Sequence, residues 1–185
     1  WLAGLDTVGE AMNDRRIAGF IDAMLREEVI PTLDLPADDL HRFADAVLGR
    51  FRNPFIRHQL SAIALNSLTK FRTRLLPQLL AGYQQTGRWP TRITFALAAL
   101  IAYYRGERDG KPYPLQDDAR WLDRFATLWP QQAQGAISLR QLVQTVLSDE
   151  QHWQSDLSQQ PGLVDAVTQH LHTITAHGMR AALPQ

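Results

Sequence analysis
Asn66, Lys70 and Arg74 follow one another at four-residue steps within NPFIRHQLSAIALNSLTKFRTRLLPQLL, residues 53–80. Four residues is slightly more than one helical turn, so on a helix these three stack along one side. An amide, an ammonium and a guanidinium in one row offer hydrogen-bond donors suited to hydroxyls and carboxylates. Advancing by about 100° per residue gathers Ile56, Leu60, Ile63, Ala64, Leu68, Phe71 and Leu75 into one apolar arc. Lys70 then sits at the rim of that arc, Arg74 and Ser67 inside it, and Asn66 just beyond it. Arg57, His58, Thr69 and Arg72 fall elsewhere and can face solvent. A buried ammonium without a partner costs several kcal/mol, so Lys70 must be paired, snorkel to water or face a cleft. Two readings stay open from the residues alone. One is a solvated helix edge whose aliphatic stems cover the core. The other is a cleft wall for a polyhydroxylated, anionic small molecule.

Other chemistries have less to stand on. The histidines are His41, His58, His152, His170, His172 and His177, and no HExxH occurs, which argues against a helix-borne zinc site. The carboxylates of DDARW and SDEQHW stand at helix starts, where they complement the dipole. Trp1, Trp89, Trp121, Trp129 and Trp153 read as packing anchors. No GxGxxG, Walker or GxSxG motif is present, and no complete active site is visible. The chain has no cysteine, which excludes disulfides and thiolate metal sites and is compatible with a reducing cytoplasmic setting. Lys plus Arg and Asp plus Glu both number 19, so the net charge is zero and no basic excess points to nucleic acid or a membrane surface. The longest apolar runs, such as FALAALIAYY, are too short to span a bilayer.

The elements that must position the polar row are helical. At 185 residues the chain can bury a sizeable core. Helical periodicity dominates and alternating strand patterns are nearly absent. Asp6 or Thr7 can cap TVGEAMN, with Glu10 three residues after Thr7 as a capping box, and Asp14 caps RRIAGFIDAMLREEVI, which ends at Pro31. A third helix starts after Pro36 and turns Leu40, Phe43, Ala44, Val47 and Leu48 inward. Asn53 is expected to cap the long helix that carries the polar row, with Pro54 in its first turn and Pro77 ending or kinking it. A shorter helix, QLLAGYQQ, follows it. Residues 91–105 form the most apolar helix and are expected at the centre. Residues 106–116 read as loop by their Gly and Pro content. Asp117 or Asp118 opens a helix through Leu128, Ser138 caps one to about Leu147, and Pro161 starts a last one towards Ala182. The sum is an all-α, single multi-helix domain of about eight helices, spanning residues 1–185. The chain opens on Trp1 rather than Met, which leads us to expect a piece of a longer protein.

At GRFRNPFIRHQ (49–59) and LNSLTKFRTRLLPQLLAG (65–82) the chain resembles the C-terminal domain of the long-chain mannitol dehydrogenase family. GLDTVGEAMND, TFALAALIAYYRGER, YPLQDDARWL and PGLVDAV carry the resemblance through most of the chain, in the same order. NPFIRHQ together with LNSLTKFRTR is similar to the tagaturonate-reducing branch. The resemblance implies a two-domain, NAD-dependent oxidoreductase that needs no catalytic metal. An upstream Rossmann domain, absent from this chain, would bind NAD, and a helical domain would close over a sugar acid. It further implies a general-base lysine in a K-x-x-x-L-N-x-x-H motif, which this sequence lacks and which would precede Trp1. Lys70 matches a family lysine that reaches the substrate. Asn66 stands where many polyol members have Asp, and Ala62 where they often have Arg. Arg74 and His58 complete the candidate substrate contacts, with Arg74 suited to clamping a carboxylate. The same family acting on fructuronate or a polyol such as mannitol is the runner-up, and a non-catalytic helical interaction module is the alternative of a different kind. This chain alone is expected to be inactive.

Overall fold
A computed structural model describes residues 1–53, 55 and 57–184. Its first helices start where short polar side chains can replace missing backbone partners. Thr7 Oγ1 accepts from Glu10 N at 3.1 Å, and Glu10 Oε2 accepts from Thr7 N at 3.1 Å, closing the expected capping box on α1 (Val8–Asn13). Asp14 then caps α2 (Arg15–Ala23) through the N–H groups of Arg16 and Ile17. The sequence predicts one helix through Ile30, but the winding loosens into a π-helical turn over Met24–Val29 and tightens to a 3-10 turn over Ile30–Thr32. From this segment Glu28 reaches across to accept the N–H groups of Arg92 and Ile93, both at 2.8 Å. Helix α3 (Ala37–Phe51) buries Leu40, Ala44 and Leu48, but leaves Phe43 65% exposed, so its apolar face is narrower than expected.

The long helix expected from Asn53 does not form as one piece. Pro54, expected in the first turn of that helix, and Ile56, expected on its apolar arc, lie outside the described residues. Asn53 Oδ1 accepts from Phe55 N at 3.0 Å in a local turn, and Gln59 forms an isolated bridge with Thr7. Helical structure comes instead as α4 (Leu60–Ile63) and α5 (Ser67–Arg74), and the separately expected shorter helix follows as α6 (Leu76–Thr86). The first break has a tertiary cause. Asn66 N donates to Gln116 O at 3.3 Å, and Asn66 takes a left-handed conformation at φ 52° and ψ 41°. Asn is among the few residues that adopt that region at small cost. The second break falls at Leu75, two residues before Pro77, whose missing N–H is harmless in the first turn of α6.

The centre is α7 (Thr91–Tyr103), in which Ile93, Leu97, Ala98 and Ile101 are fully buried. A two-residue antiparallel hairpin, β1 (Glu107–Arg108) with β2 (Lys111–Pro112), stands inside the stretch read as loop. Its Asp109 and Gly110 both have positive φ, as a tight hairpin turn requires. Asp118 caps α8 (Ala119–Ala133), which runs past Leu128 and takes in Pro130. Ser138 caps α9 (Leu139–Leu147) with a second capping box, and Asp149 caps the short α10 (Glu150–Trp153). The last expected helix is two: α11 (Leu163–His177) and α12 (Met179–Ala182), divided at Gly178 with φ 79°. Helix α11 packs along α7 and against α9. The all-helical class holds, and about eight helices were expected where the described residues form twelve α-helical segments: one long stretch divides into α4 and α5, the last into α11 and α12, and the short α10 is additional. No helix among the described residues is long and apolar enough to cross a membrane.

Candidate functional site
Helix α5 presents Ser67, Lys70, Phe71, Arg74 and Leu75 to a cleft of about 500 Å³. Those positions follow the helical repeat, so the register set at Asn66 decides that both cations share one wall. Lys70 is half-buried, and its Nζ donates to Ile63 O, the last carbonyl of α4, at 2.8 Å. An ammonium has three donors, so two are left for a ligand. Arg74 is exposed at the rim, and its side chain forms no hydrogen bond or ion pair among the described residues. Ser67 is already engaged, donating from Oγ to Ala64 O at 2.7 Å. Across from α5 the wall is built by Trp1, Phe20 of α2, Phe95 and Tyr103 of α7, and Met179 and Leu183. Among the described residues no carboxylate lines the cleft. Two positive charges above a carbon surface therefore set its field, and a low-dielectric floor strengthens their pull on an anion. Burial, with Asp117 nearby, pushes the Tyr103 hydroxyl above its ordinary value, which keeps it protonated.

The row read from the sequence is thus partly assembled. Lys70 and Arg74 share the cleft. Asn66 is not among its lining residues; its carbonyl accepts from Lys70 N at 3.1 Å, and its left-handed backbone starts α5. His58 is exposed outside the cleft, with its carbonyl accepting from Val8 N at 3.0 Å. Ala62 is exposed on α4. Arg72, expected to face solvent, instead donates to His152 O at 2.8 Å and ties α5 to α10. Behind that tie lies a buried polar knot. Asp149 accepts from Arg120 at 3.0 Å, from Arg124 at 2.6 Å and from His152 N at 2.9 Å. Burial lowers the pKa of the His152 imidazole, which packs edge-on against Trp121 and Trp153. Sequence periodicity could place Phe20 on an apolar face. It could not show that this face, with Trp1 and Tyr103, looks across the cleft at Lys70.

Residues 1–175 match the profile of the mannitol dehydrogenase C-terminal domain, and the chain belongs to that family. Among its relatives is the altronate oxidoreductase of Klebsiella pneumoniae (strain 342), 60% identical over 183 residues, which cover 99% of this chain and 38% of the relative. The altronate oxidoreductase of Escherichia coli O7:K1 (strain IAI39 / ExPEC) is 59% identical over 181 residues, again 38% of its length. This chain therefore spans well under half of those relatives. The fold is similar to that of Pseudomonas fluorescens mannitol 2-dehydrogenase, solved as a ternary complex with NAD and D-mannitol. The TM-score is 0.80 at 25% identity, over 98% of this chain and 35% of that one. A substrate-free D-sorbitol dehydrogenase shares the fold with a TM-score of 0.71 at 21% identity.

Proposed function
We propose that the parent of this chain is an NAD-dependent oxidoreductase that interconverts D-tagaturonate and D-altronate in hexuronate catabolism. In this reading residues 1–185 form its substrate-side helical domain, behind an upstream Rossmann-type cofactor domain. The observation that carries it is the 60% identity to an altronate oxidoreductase across 99% of the chain, against 25% for the mannitol enzyme. The cleft rim fits a sugar acid: Lys70 keeps two donors for hydroxyl or carbonyl oxygens, and the Arg74 fork matches a carboxylate. Asn66 contributes by setting where α5 begins, and His58 is not among the residues that line the cleft. Hydride transfer is the chemistry NAD supplies when bound. No glycine-rich strand–turn–helix occurs in this sequence, so the dinucleotide seat is assigned to the upstream domain. Proton transfer falls to the lysine that the family resemblance implies ahead of Trp1. No metal, nucleic acid or membrane enters the reading.

The test is NADH oxidation by the full-length parent with tagaturonate, fructuronate and fructose, for the unmodified protein and Lys70→Ala. Tagaturonate should be preferred. Lys70→Ala should lower kcat/KM at least about tenfold, or about 1.4 kcal/mol of transition-state stabilisation. An unchanged Lys70→Ala enzyme would return that residue to a solvated helix edge. Absence of turnover on all three substrates would favour a non-catalytic helical module.

A further inference from the structure
Helix α3 is held from one side only. Leu40, Ala44 and Leu48 join small apolar clusters made with α1 and with the Met24–Thr32 segment, apart from the main core. The opposite side carries Asp39, Phe43, Ala46 and Arg50, all of them exposed, and Phe43 by 65%. Their steps of four, three and four residues keep them within about 60° of the helix circumference. That is the spacing by which one helix presents a seam to another. A phenyl ring in the middle of an exposed seam is apolar surface that a partner would remove from water.

The order of the four residues says which partner fits. Asp39 and Arg50 stand equally far from a point between Ala44 and Asp45, and so do Phe43 and Ala46. A second α3, turned about a two-fold axis through that point, runs antiparallel to the first. It sets the partner's Arg50 opposite Asp39 and the partner's Ala46 opposite Phe43. Such self-complementarity is what an isologous interface requires. Each ring then lies over a small side chain, and each end closes with opposite charges. The Arg50 side chain spends no donor among the described residues, so its fork is free for that carboxylate. Asp39 already accepts from Arg42, and a carboxylate has lone pairs for a second donor. Helix polarity works in the same direction. The first turn of α3, with Asp38 and Asp39, meets the last turn of its copy, with Arg50.

We propose that a second copy of the same protein docks on this face, giving a two-fold, antiparallel pair of α3 helices. No residue of α3 lines the cleft that holds Lys70 and Arg74, so the inference stands apart from the substrate reading. A helix of 15 residues is about 22 Å long. One pair of such helices buries less than the roughly 1,200 Å² at which stable interfaces begin, so the dimer is reversible, with a Kd of about 1–100 µM.

The test is sedimentation velocity of the full-length parent from about 0.5 to 200 µM, a span that brackets that weak-interface range. The unmodified protein should pass from monomer to dimer within it. Phe43→Glu should weaken association at least about thirtyfold, as the loss of a central apolar anchor does. Asp39→Arg and Arg50→Asp should each weaken it at least about tenfold, because each sets like charges against one another across the axis. An equimolar mixture of the Asp39→Arg and Arg50→Asp proteins should return the Kd to within about threefold of the original, since the mixed pair has opposite charges at both ends. Recovery on mixing cannot come from chains that fail to fold, and the thermal midpoint of each variant is measured alongside. A monomer at every concentration would overturn the proposal. Dimerisation that none of the three substitutions weakens would assign it to another surface and overturn it as well. Weakening by the single charge reversals without recovery on mixing would sink the two-fold arrangement.

Discussion
Arg74 and Lys70 differ in what each has left to offer. Lys70 is held by the Ile63 carbonyl, whereas Arg74 stands at the rim without a protein partner among the described residues. A guanidinium that spends no donors inside the protein can give two parallel hydrogen bonds to a carboxylate. Arg74→Ala should therefore lower kcat/KM for tagaturonate by about ten- to a hundredfold, in line with the loss of one charge-assisted pair. Turnover of fructose, which has no carboxylate, should change less than about threefold, a much smaller free-energy difference. Equal losses on both substrates would make Arg74 a general electrostatic or structural residue. At this scale the sequence named both cations, because their four-residue spacing survives in α5. It placed Arg72 wrongly, because the His152 carbonyl that holds this side chain lies eighty residues away.

The elements were legible where the signal is local. Thr7, Asp14, Asp118 and Ser138 each cap the helix they were expected to cap, since a cap needs only residues two or three positions on. The interruption between α4 and α5 was not legible, because the Gln116 carbonyl that captures Asn66 N belongs to a distant segment. This assigns the stabilising role of Asn66 to its backbone. Asn66→Gly, which removes the Cβ, should keep or slightly raise stability to urea, whereas Asn66→Ala, which keeps the Cβ but loses the short polar side chain that eases the left-handed region, should cost about 1 kcal/mol. If both variants unfold at the same urea concentration, the turn does not carry that strain.

At the scale of the whole molecule, two imidazoles set an acid limit. His152 sits in the knot behind α5, and His170 packs edge-on against Phe95 between α11 and α7. Burial lowers the pKa of both. The unfolded chain then binds these protons more readily than the folded one. The stabilisation is complete above about pH 7 and is lost as pH falls from there through the depressed folded values. The thermal midpoint should fall between about pH 7 and pH 5, and the slope should be shallower in a His152→Gln, His170→Gln double variant. An unchanged slope would place the pH dependence elsewhere. The carboxylates of Asp14 and Asp156, held below their ordinary 3.8 mainly by a backbone N–H from Ile17 and the Ser158 hydroxyl respectively, act only in a separate and more acidic window.

By itself the sequence determined the helical class, the capped starts of the helices, the family and the pairing of Lys70 with Arg74. Each of these is written in neighbouring residues or in short ordered motifs, so one-dimensional spacing is enough. Tertiary structure decided that the long helix breaks at Asn66, that Asn66 and His58 fall outside the cleft, and that Arg72 faces inward. It also brought Trp1, Phe20, Tyr103 and Met179 to the same cavity as the two cations. Those outcomes depend on carbonyls and carbon surfaces supplied by remote segments, and no periodicity within one helix encodes which remote segment arrives.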